Sequence, residues 1–324
     1  MKQEPKMTIA IFLEQRIPSF CVKERQVGRL KEVFPGVAFA WCRSLEALQE
    51  ALPRATVAVT NTFRPEWFAK APKLRYILCP AAGRDVLNPV PLVPPPEVYI
   101  HYGTFHGRLM AETVAGLMLA FNRGILLAYK EQLAGNLWPT TQLCEPGAVR
   151  TLRGSRAAIV GFGHLGQWIS KTLVALGVSV TGIRRTPLDT RPHWFRAGDC
   201  VMSASLLDVV LPTVDHLILA LPSDATTDNL IGARQLARLP RHAVIYNVGR
   251  GNCIDEGALA DALVSRRIAG ACLDVFAEEP LTGKSPLAAD LPGLVRMPHA
   301  SAYSEVYMDF FMDEIIPIIR TITR

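Results

Sequence analysis

The chain has 324 residues, is 49% hydrophobic and carries a net charge of +6, which predicts a globular protein of two domains. Its longest apolar run, 113–121, is shorter than the roughly 20 residues of a membrane-spanning helix, and its dispersed positive residues argue against nucleic acid. Seven cysteines without a Cys-x-x-Cys pair predict reduced thiols and no metal, and the missing secretory signal leads us to expect a cytoplasmic protein.

The first hundred residues alternate strand-like and helix-like runs, which is typical of a parallel sheet covered by helices. We predict strands over 8–13, 56–60, 76–79 and 98–100. A run that is apolar on most sides follows at 108–129, and we predict that it forms one helix crossing between two domains.

Residues 156–300 contain six further strand-like runs, at 157–160, 178–183, 216–221, 243–248, 269–275 and 294–297. Six strands fit a doubly wound, dinucleotide-binding fold. The helix-like tail at 305–323, interrupted at Pro317, is expected to return to the first domain. The predicted fold class is therefore α/β with two doubly wound parallel-sheet domains. A Rossmann domain at 104–300 is inserted into a smaller, flavodoxin-like substrate domain at 1–103 and 301–324.

The segment Gly161-Phe162-Gly163-His164-Leu165-Gly166 lies between a predicted strand and a predicted helix. This context distinguishes a dinucleotide site from a simple tight turn. Gly161 would permit the turn, Gly163 would let the backbone approach the pyrophosphate, and Gly166 would let the helix pack on the sheet. The positive end of the helix dipole would then face the phosphates.

The next strand ends at Arg184-Arg185-Thr186, where an acidic residue would select NAD by binding the ribose 2′-hydroxyl. Two guanidinium groups and a hydroxyl would instead bind a 2′-phosphate, so we predict a preference for NADP over NAD. The alternative is a solvated pair of surface arginines. We also assign four residues at the ends of later predicted strands to the cofactor site: Leu221, Pro222, Val248 and Gly249.

Arg250, Glu279 and His299 each follow a strand-like run, so all three can converge on one small anionic substrate. The guanidinium of Arg250 can bind the carboxylate of a 2-keto acid and polarise the adjacent carbonyl. His299 can exchange a proton with the carbonyl oxygen, and Glu279 can orient the ring and stabilise the imidazolium. Taken singly, each residue has an ordinary structural interpretation.

Together these segments resemble the D-isomer-specific 2-hydroxyacid dehydrogenase family, which includes glyoxylate/hydroxypyruvate reductases, D-lactate dehydrogenases and phosphoglycerate dehydrogenases. The resemblance is carried by segments at 81–85, 110–112, 152–154, 161–166, 247–256, 273–281 and 298–299. It implies that Arg250, Glu279 and His299 are catalytic and that Asp274 contacts the nicotinamide. It also implies that Ala82, Gly83 and Arg84 form a carboxylate-binding turn. The family normally has an acidic residue where Arg184 stands, a departure that also favours NADP.

The resulting hypothesis is an NADPH-dependent reductase of a small 2-keto acid, of the glyoxylate or hydroxypyruvate type, that produces the D-2-hydroxy acid. One alternative is an NAD-dependent dehydrogenase of the phosphoglycerate or lactate type, and another is a non-catalytic scaffold that senses dinucleotides. The resemblance also implies a homodimer formed through the nucleotide domain, with the apolar helix around 112–127 as the contact surface.

Overall fold

The computed structural model describes residues 7–323 except 16, 85, 88–91, 187 and 189. The chain divides into two compact units. Unit 1 comprises Met1–His106 and Tyr303–Arg324, and unit 2 comprises Gly107–Ala302. The chain therefore passes from one unit to the other at 106–107 and 302–303, a few residues beyond the crossings suggested by the sequence.

Unit 1 contains one parallel sheet with the strand order β2-β1-β3-β4-β5, a doubly wound order of the flavodoxin type. The central strands are almost continuously apolar because both faces of the sheet are covered. The strands are β1 (Thr8–Phe12), β2 (Ala38–Trp41), β3 (Val57–Thr60), β4 (Tyr76–Cys79) and β5 (Tyr99–Tyr102).

Unit 2 contains a seven-stranded parallel sheet with the order β12-β11-β10-β9-β6-β7-β8. Its strands are β6 (Arg156–Val160), β7 (Ser179–Arg184), β8 (Cys200–Ser203), β9 (His216–Leu219), β10 (Val244–Asn247), β11 (Gly270–Leu273) and β12 (Leu294–Arg296). The chain starts at β6, builds outward to β8 and returns to β9 on the other side of β6. The carboxyl ends of β6 and β9 thus form the switch point at which such sheets hold ligands. Both sheets confirm the predicted fold class.

Ten α-helices cover the sheets within the described residues. They are α1 (Glu24–Val33), α2 (Leu45–Ala51), α3 (His106–Asn122), α4 (Ile125–Leu133), α5 (Thr140–Cys144), α6 (His164–Ala175), α7 (Leu207–Val210), α8 (Ala233–Leu236), α9 (Glu256–Val264) and α10 (Tyr307–Ile322). The last helix belongs to unit 1 and buries an apolar face that includes Phe311, Met312 and Ile315.

Two strands were not predicted from the sequence, and both are edge strands. The predicted set of six strands in unit 2 was wrong because β8 is a seventh. In unit 1, β2 was not predicted either. Both strands are only partly buried, so neither has the continuous apolar run that identifies a central strand.

Two predictions about helices were also wrong. The helix expected over 108–129 breaks at Gly124, whose φ of 68° lies outside the helical region, and α4 begins at the next residue. Conversely, α10 continues through Pro317. Burial of Ile315, Ile316 and Ile319 around the proline stabilises the helix against the loss of one backbone hydrogen bond.

No single helix in the described ranges is long and apolar enough to cross a membrane. The pair α3 and α4 meets the same criterion of length and composition only when the two are counted together, and the pair is bent by 68°.

Candidate active site

The turn between β6 and α6 has the geometry that a dinucleotide requires. Gly161 has a φ of 94°, and a Cβ atom there would collide with the backbone of Ala220. A Cβ on Gly166 would meet the Gly161 carbonyl oxygen, whereas Gly163 has open space around its Cα. The turn is therefore close to the sheet on one side and accessible on the other, beside the first amide groups of α6.

The loops that follow β9 and β10 contact each other next to this glycine turn. A Cβ on Gly249 would collide with the backbone of Leu221, just as one on Gly161 would collide with Ala220. The structure thus brings together three of the predicted cofactor segments. Leu221 is partly exposed there and Pro222 is exposed, whereas Val248 and the side chain of Phe162 are buried in the core, so Val248 and Phe162 can offer only backbone groups. His164 is exposed and Leu165 is partly buried.

Arg184 ends β7, and the exposed residues Arg185 and Thr186 follow it. Arg185 lies 3.7 Å from a carboxylate oxygen of Asp224, in the loop after β9. This acidic neighbour was not predicted, because it follows a different strand from the one that carries Arg184. Hydrogen bonds from Thr226 hold the pKa of Asp224 below its ordinary value. A cofactor phosphate at Arg185 would therefore have a fixed negative charge close by.

The loop that carries Arg250 is held by Asn247, a fully buried residue at the end of β10. Its Nδ2 donates to the Arg250 carbonyl oxygen at 3.0 Å, and its Oδ1 accepts from the Gly249 amide at 3.1 Å. The half-buried side chain of Arg250 donates from Nη1 to the Gly249 carbonyl. Gly251 then packs so closely on Phe276 that a Cβ would overlap the Phe276 backbone.

Glu279, the second residue proposed for catalysis, lies three positions after Phe276. One carboxylate oxygen of Glu279 accepts from the Phe276 amide at 3.0 Å, and the other lies 2.8 Å from Nδ1 of His299. The side chains of His299 and Glu279 are 49% and 35% exposed, so a substrate can reach the ring. With the Nδ1 proton directed at the carboxylate, Nε2 is the ring atom that can exchange a proton.

His299 adopts a φ of 53°, in the left-handed region that non-glycine residues seldom occupy. Asp274, which is 2% exposed, holds this turn. Its carbonyl accepts from the His299 amide at 2.8 Å, and its two carboxylate oxygens accept from the amides of Ala300 and Ser301 at 2.6 and 3.0 Å. Unfavourable backbone conformations of this kind persist where surrounding contacts hold them, often at functional sites. The family resemblance implies only a nicotinamide contact for Asp274, so this anchoring of the His299 turn was not predicted.

The third predicted site segment lies in unit 1, in the loop after β4. Ala82 and Arg84 are exposed and Gly83 is partly exposed. Within the part of the chain that the structure describes, the backbone N–H groups of these three residues have no acceptor. Adjacent unpaired amides can bind an anion. Asp85, the last residue of the matching motif, lies outside the described residues.

No group of three or more potential metal-binding side chains occurs among the described residues. Of the other histidines, His101 bonds to Glu314 at 2.6 Å, and His106 is buried. His216 is buried as well, and burial lowers its pKa to about 4.

A family model described as "D-isomer specific 2-hydroxyacid dehydrogenase, NAD binding domain" matches residues 115–301. Glycerate dehydrogenase of Methylorubrum extorquens is 30% identical over 275 residues, which cover 84% of this chain and 83% of that protein. Glyoxylate/hydroxypyruvate reductase B of Pectobacterium carotovorum is 33% identical over 75% of this chain and 74% of its own. Among solved structures, a D-isomer specific 2-hydroxyacid dehydrogenase from Xanthobacter autotrophicus, in complex with NADPH and MES, superposes with a TM-score of 0.77. It is 25% identical and covers 97% of this chain and 95% of its own.

Proposed function

Because the chain belongs to the D-isomer specific 2-hydroxyacid dehydrogenase family, we propose that it uses NADPH to reduce a small 2-keto acid of the glyoxylate or hydroxypyruvate type to the D-2-hydroxy acid. The general activity of an NAD(P)-dependent 2-hydroxyacid dehydrogenase follows from the family. The hydrogen-bonded pair of His299 and Glu279 is the observation that carries the assignment of catalytic residues, since it supplies a positioned proton donor.

When bound beside the glycine turn, the reduced nicotinamide would supply a hydride to C2 of the keto acid. His299 gives its Nε2 proton to the carbonyl oxygen, and in the reverse direction it removes that proton. Glu279 holds the ring through Nδ1 and balances the positive charge of the imidazolium. Arg250 binds the substrate carboxylate and polarises the carbonyl, because its guanidinium presents donors in a planar fork. Asp274 keeps His299 in its unusual backbone conformation, as well as contacting the nicotinamide.

The glycine turn suits the cofactor because its open side at Gly163 lies beside the amino end of α6. The rest of the cofactor site is formed by residues next to this turn and by the loops after β9 and β10. They are Phe162, His164, Leu165, Leu221, Pro222, Val248 and Gly249. Arg184, Arg185 and Thr186 bind the 2′-phosphate and thereby favour NADPH. The relative from Xanthobacter autotrophicus was solved in complex with NADPH, which supports this preference.

In unit 1, the turn of Ala82, Gly83 and Arg84 binds the carboxylate of the substrate. Its support is the set of three adjacent amide groups without a described acceptor, together with the positive charge of the exposed Arg84.

The protein forms a homodimer through unit 2. The contact was predicted at 112–127, but much of α3 is buried, and the more exposed apolar side chains of this region lie from Ile125 onward. They are Ile125, Tyr129, Leu133, Leu137 and Trp138. A monomeric mass in light scattering at micromolar protein concentration would contradict this proposal.

The decisive assay follows the loss of reduced-nicotinamide absorbance with NADPH or NADH and a panel of glyoxylate, hydroxypyruvate, pyruvate and phenylpyruvate. We expect fast turnover of the two smaller, more polar acids with NADPH. Turnover that is equal or better with NADH would favour the NAD-dependent alternative. Tight NADPH binding without turnover of any acid would favour the scaffold.

The arginine pair is tested with Arg184→Ala and Arg185→Ala. Loss of a charge-assisted hydrogen bond to phosphate should raise the KM for NADPH by about ten- to a hundredfold while leaving the KM for NADH nearly unchanged. Arg43→Ala is a matched control, because Arg43 is also exposed and also paired, with Glu14 at 3.0 Å. An equal rise in KM for both cofactors would remove the 2′-phosphate role.

A further inference from the structure

A buried histidine and a buried tyrosine meet beneath the candidate substrate loop of unit 1. Nε2 of His106 lies 2.7 Å from the hydroxyl of Tyr307, and that hydroxyl donates to the Pro80 carbonyl oxygen at 3.4 Å. Both side chains are almost inaccessible, at 7% and 6% exposed. Pro80 is the residue at which the loop leaves β4. The pair therefore contacts the beginning of the turn that carries Ala82, Gly83 and Arg84.

The direction of the hydrogen bonds follows from the state of the imidazole. Burial lowers the pKa of His106 to about 4, so the ring is neutral near pH 7 and carries one N–H group. Among the described residues, Nδ1 has no hydrogen-bond partner of good geometry. A proton on Nδ1 would leave a buried donor unpaired, which costs more than an unpaired ring acceptor. The proton is therefore on Nε2, and this N–H donates to the Tyr307 hydroxyl oxygen. The Tyr307 O–H then donates to the Pro80 carbonyl oxygen.

The surroundings keep both rings in place. His106 stacks on Phe105 with ring centroids 4.0 Å apart, and the Tyr307 ring packs on Phe20 at 4.3 Å. A Cβ on Gly103 would be 2.5 Å from the Pro80 oxygen and 3.0 Å from the His106 ring, so only glycine leaves room for this contact. The Gly103 amide also donates to the Cys79 and Ala81 carbonyls at 2.9 and 3.0 Å. The start of the loop is thus fixed from two directions.

We propose that His106 and Tyr307 are positioning residues that fix the loop of Ala82, Gly83 and Arg84 for binding of the substrate carboxylate. This inference rests on the proposed function of that loop and extends it to two residues that cannot touch substrate. His106 is the last residue of unit 1 before the first chain crossing, and Tyr307 lies in the first turn of α10 after the second. The turn is thus held by one residue from each of the two segments of the chain that make up unit 1, and each residue lies close to a chain crossing.

The test is Tyr307→Phe, which removes one oxygen atom and keeps the ring. Because the loop binds the carboxylate alike in the ground state and the transition state, the KM for the keto acid should rise by about tenfold while kcat stays within about twofold. The KM for NADPH should not change. The matched control is Tyr246→Phe in unit 2, since Tyr246 is fully buried and its hydroxyl lies 3.3 Å from Nδ1 of the buried His216. The control should lower the thermal midpoint similarly without the rise in KM.

Changes at His106 test the direction of the hydrogen bond. His106→Gln retains a side-chain N–H donor and should remain close to the natural enzyme, whereas His106→Leu should reproduce the Tyr307→Phe kinetics. The variant with both His106→Leu and Tyr307→Phe should be no worse than either alone, because the two act on Pro80 as one unit. Additive effects on the KM would overturn the proposal, and so would an equal KM rise in Tyr246→Phe.

Ala82→Asp separates this inference from the function on which it rests. A carboxylate on the loop should repel the anionic substrate and raise its KM whether or not the buried pair matters. If Ala82→Asp raises the KM and Tyr307→Phe does not, the positioning role is wrong and the loop assignment stands. If neither raises it, the loop does not bind the carboxylate, and both proposals are overturned.

Discussion

The candidate loops of unit 2 and the candidate loop of unit 1 are held in different ways. In unit 2, Asn247 fixes residues two and three positions ahead of it, Glu279 bonds to the amide three positions before it, and Asp274 fixes a turn 26 and 27 positions later. In unit 1, the contact between Tyr307 and Pro80 spans 227 positions, and that between Glu314 and Thr104 spans 210. The loops of unit 2 are therefore held by residues at or just after the ends of neighbouring strands, whereas the contacts in unit 1 come from the distant helix α10.

Because of this difference, we expect mutations in the two units to have different consequences. In unit 2 the side chains proposed for catalysis are exposed or partly buried, and their anchors Asn247 and Asp274 are buried polar residues at strand ends. Replacing one of the side chains proposed for catalysis should therefore alter activity without unfolding the unit. In unit 1 the anchors are on α10, whose apolar face is part of the core, so changes there should affect binding and stability together.

The largest effect is expected from His299→Ala. Loss of the proton donor should lower both reduction and oxidation by about a hundredfold to ten-thousandfold, while NADPH still binds. Steady-state rates in both directions and fluorescence titration with NADPH measure the two quantities. His242→Ala is the matched control, because His242 also pairs with a carboxylate, Asp215, at 2.7 Å. If His299→Ala is as active as this control, His299 is not the acid.

Arg250→Lys should come next. A lysine keeps the charge but cannot present two parallel donors, so kcat/KM for the keto acid should fall by about ten- to a hundredfold with NADPH affinity unchanged. The comparison predicts that the thermal midpoint of the variant stays close to that of the natural enzyme. A large loss of stability would mean that the charge holds the loop rather than the substrate.

Gly251→Ala tests how tightly the Arg250 and Glu279 loops are joined. The added methyl group would overlap the backbone of Phe276, so the free energy of unfolding should fall by about 1–3 kcal/mol and activity should fall with it. Gly28→Ala in α1 is the control, since a Cβ there meets nothing within 4 Å. It should stabilise the protein by about 0.4–1 kcal/mol. Equal denaturation midpoints for the two variants would contradict the close packing.

The smallest effect concerns Glu314 and depends on pH. Burial raises its pKa, but hydrogen bonds from His101 and Thr104 outweigh burial and hold the pKa below its ordinary value of 4.5. The ionised carboxylate therefore stabilises unit 1 fully above about pH 4.5, and this contribution is lost as the pH falls through the lower pKa of the folded state.

The variant Glu314→Gln should have a lower thermal midpoint than the natural enzyme at pH 7, and the gap should narrow below pH 4.5. Glu66→Gln should show no such gap, because Glu66 is 63% exposed and its nearest arginine nitrogen is 4.0 Å away. A gap between Glu314→Gln and the natural enzyme that is constant from pH 7 to pH 3 would argue against the ionised carboxylate as its cause.

The central strands and the glycine turn were predictable because their signals are local. Val57 to Thr60 and Arg156 to Val160 are short, nearly continuous apolar runs, and Gly161, Gly163 and Gly166 are read from six consecutive residues. The edge strands β2 and β8 were not predictable from apolar runs, since they are only half buried. The break at Gly124 was not predicted because helix-forming apolar residues resume directly after it, in Ile125–Leu133.

The sequence by itself determined the parallel α/β fold, the glycine turn and the identity of the three residues proposed for catalysis, because each depends on residue types within a few positions of a strand end. The sequence led us to expect that Glu279 pairs with His299, but only the tertiary structure decided that it contacts Nδ1, that Asp274 supports the His299 turn and that Tyr307 reaches Pro80. Those contacts join residues from 20 to 227 positions apart, and a one-dimensional pattern carries no information on which distant polar groups share a buried hydrogen bond.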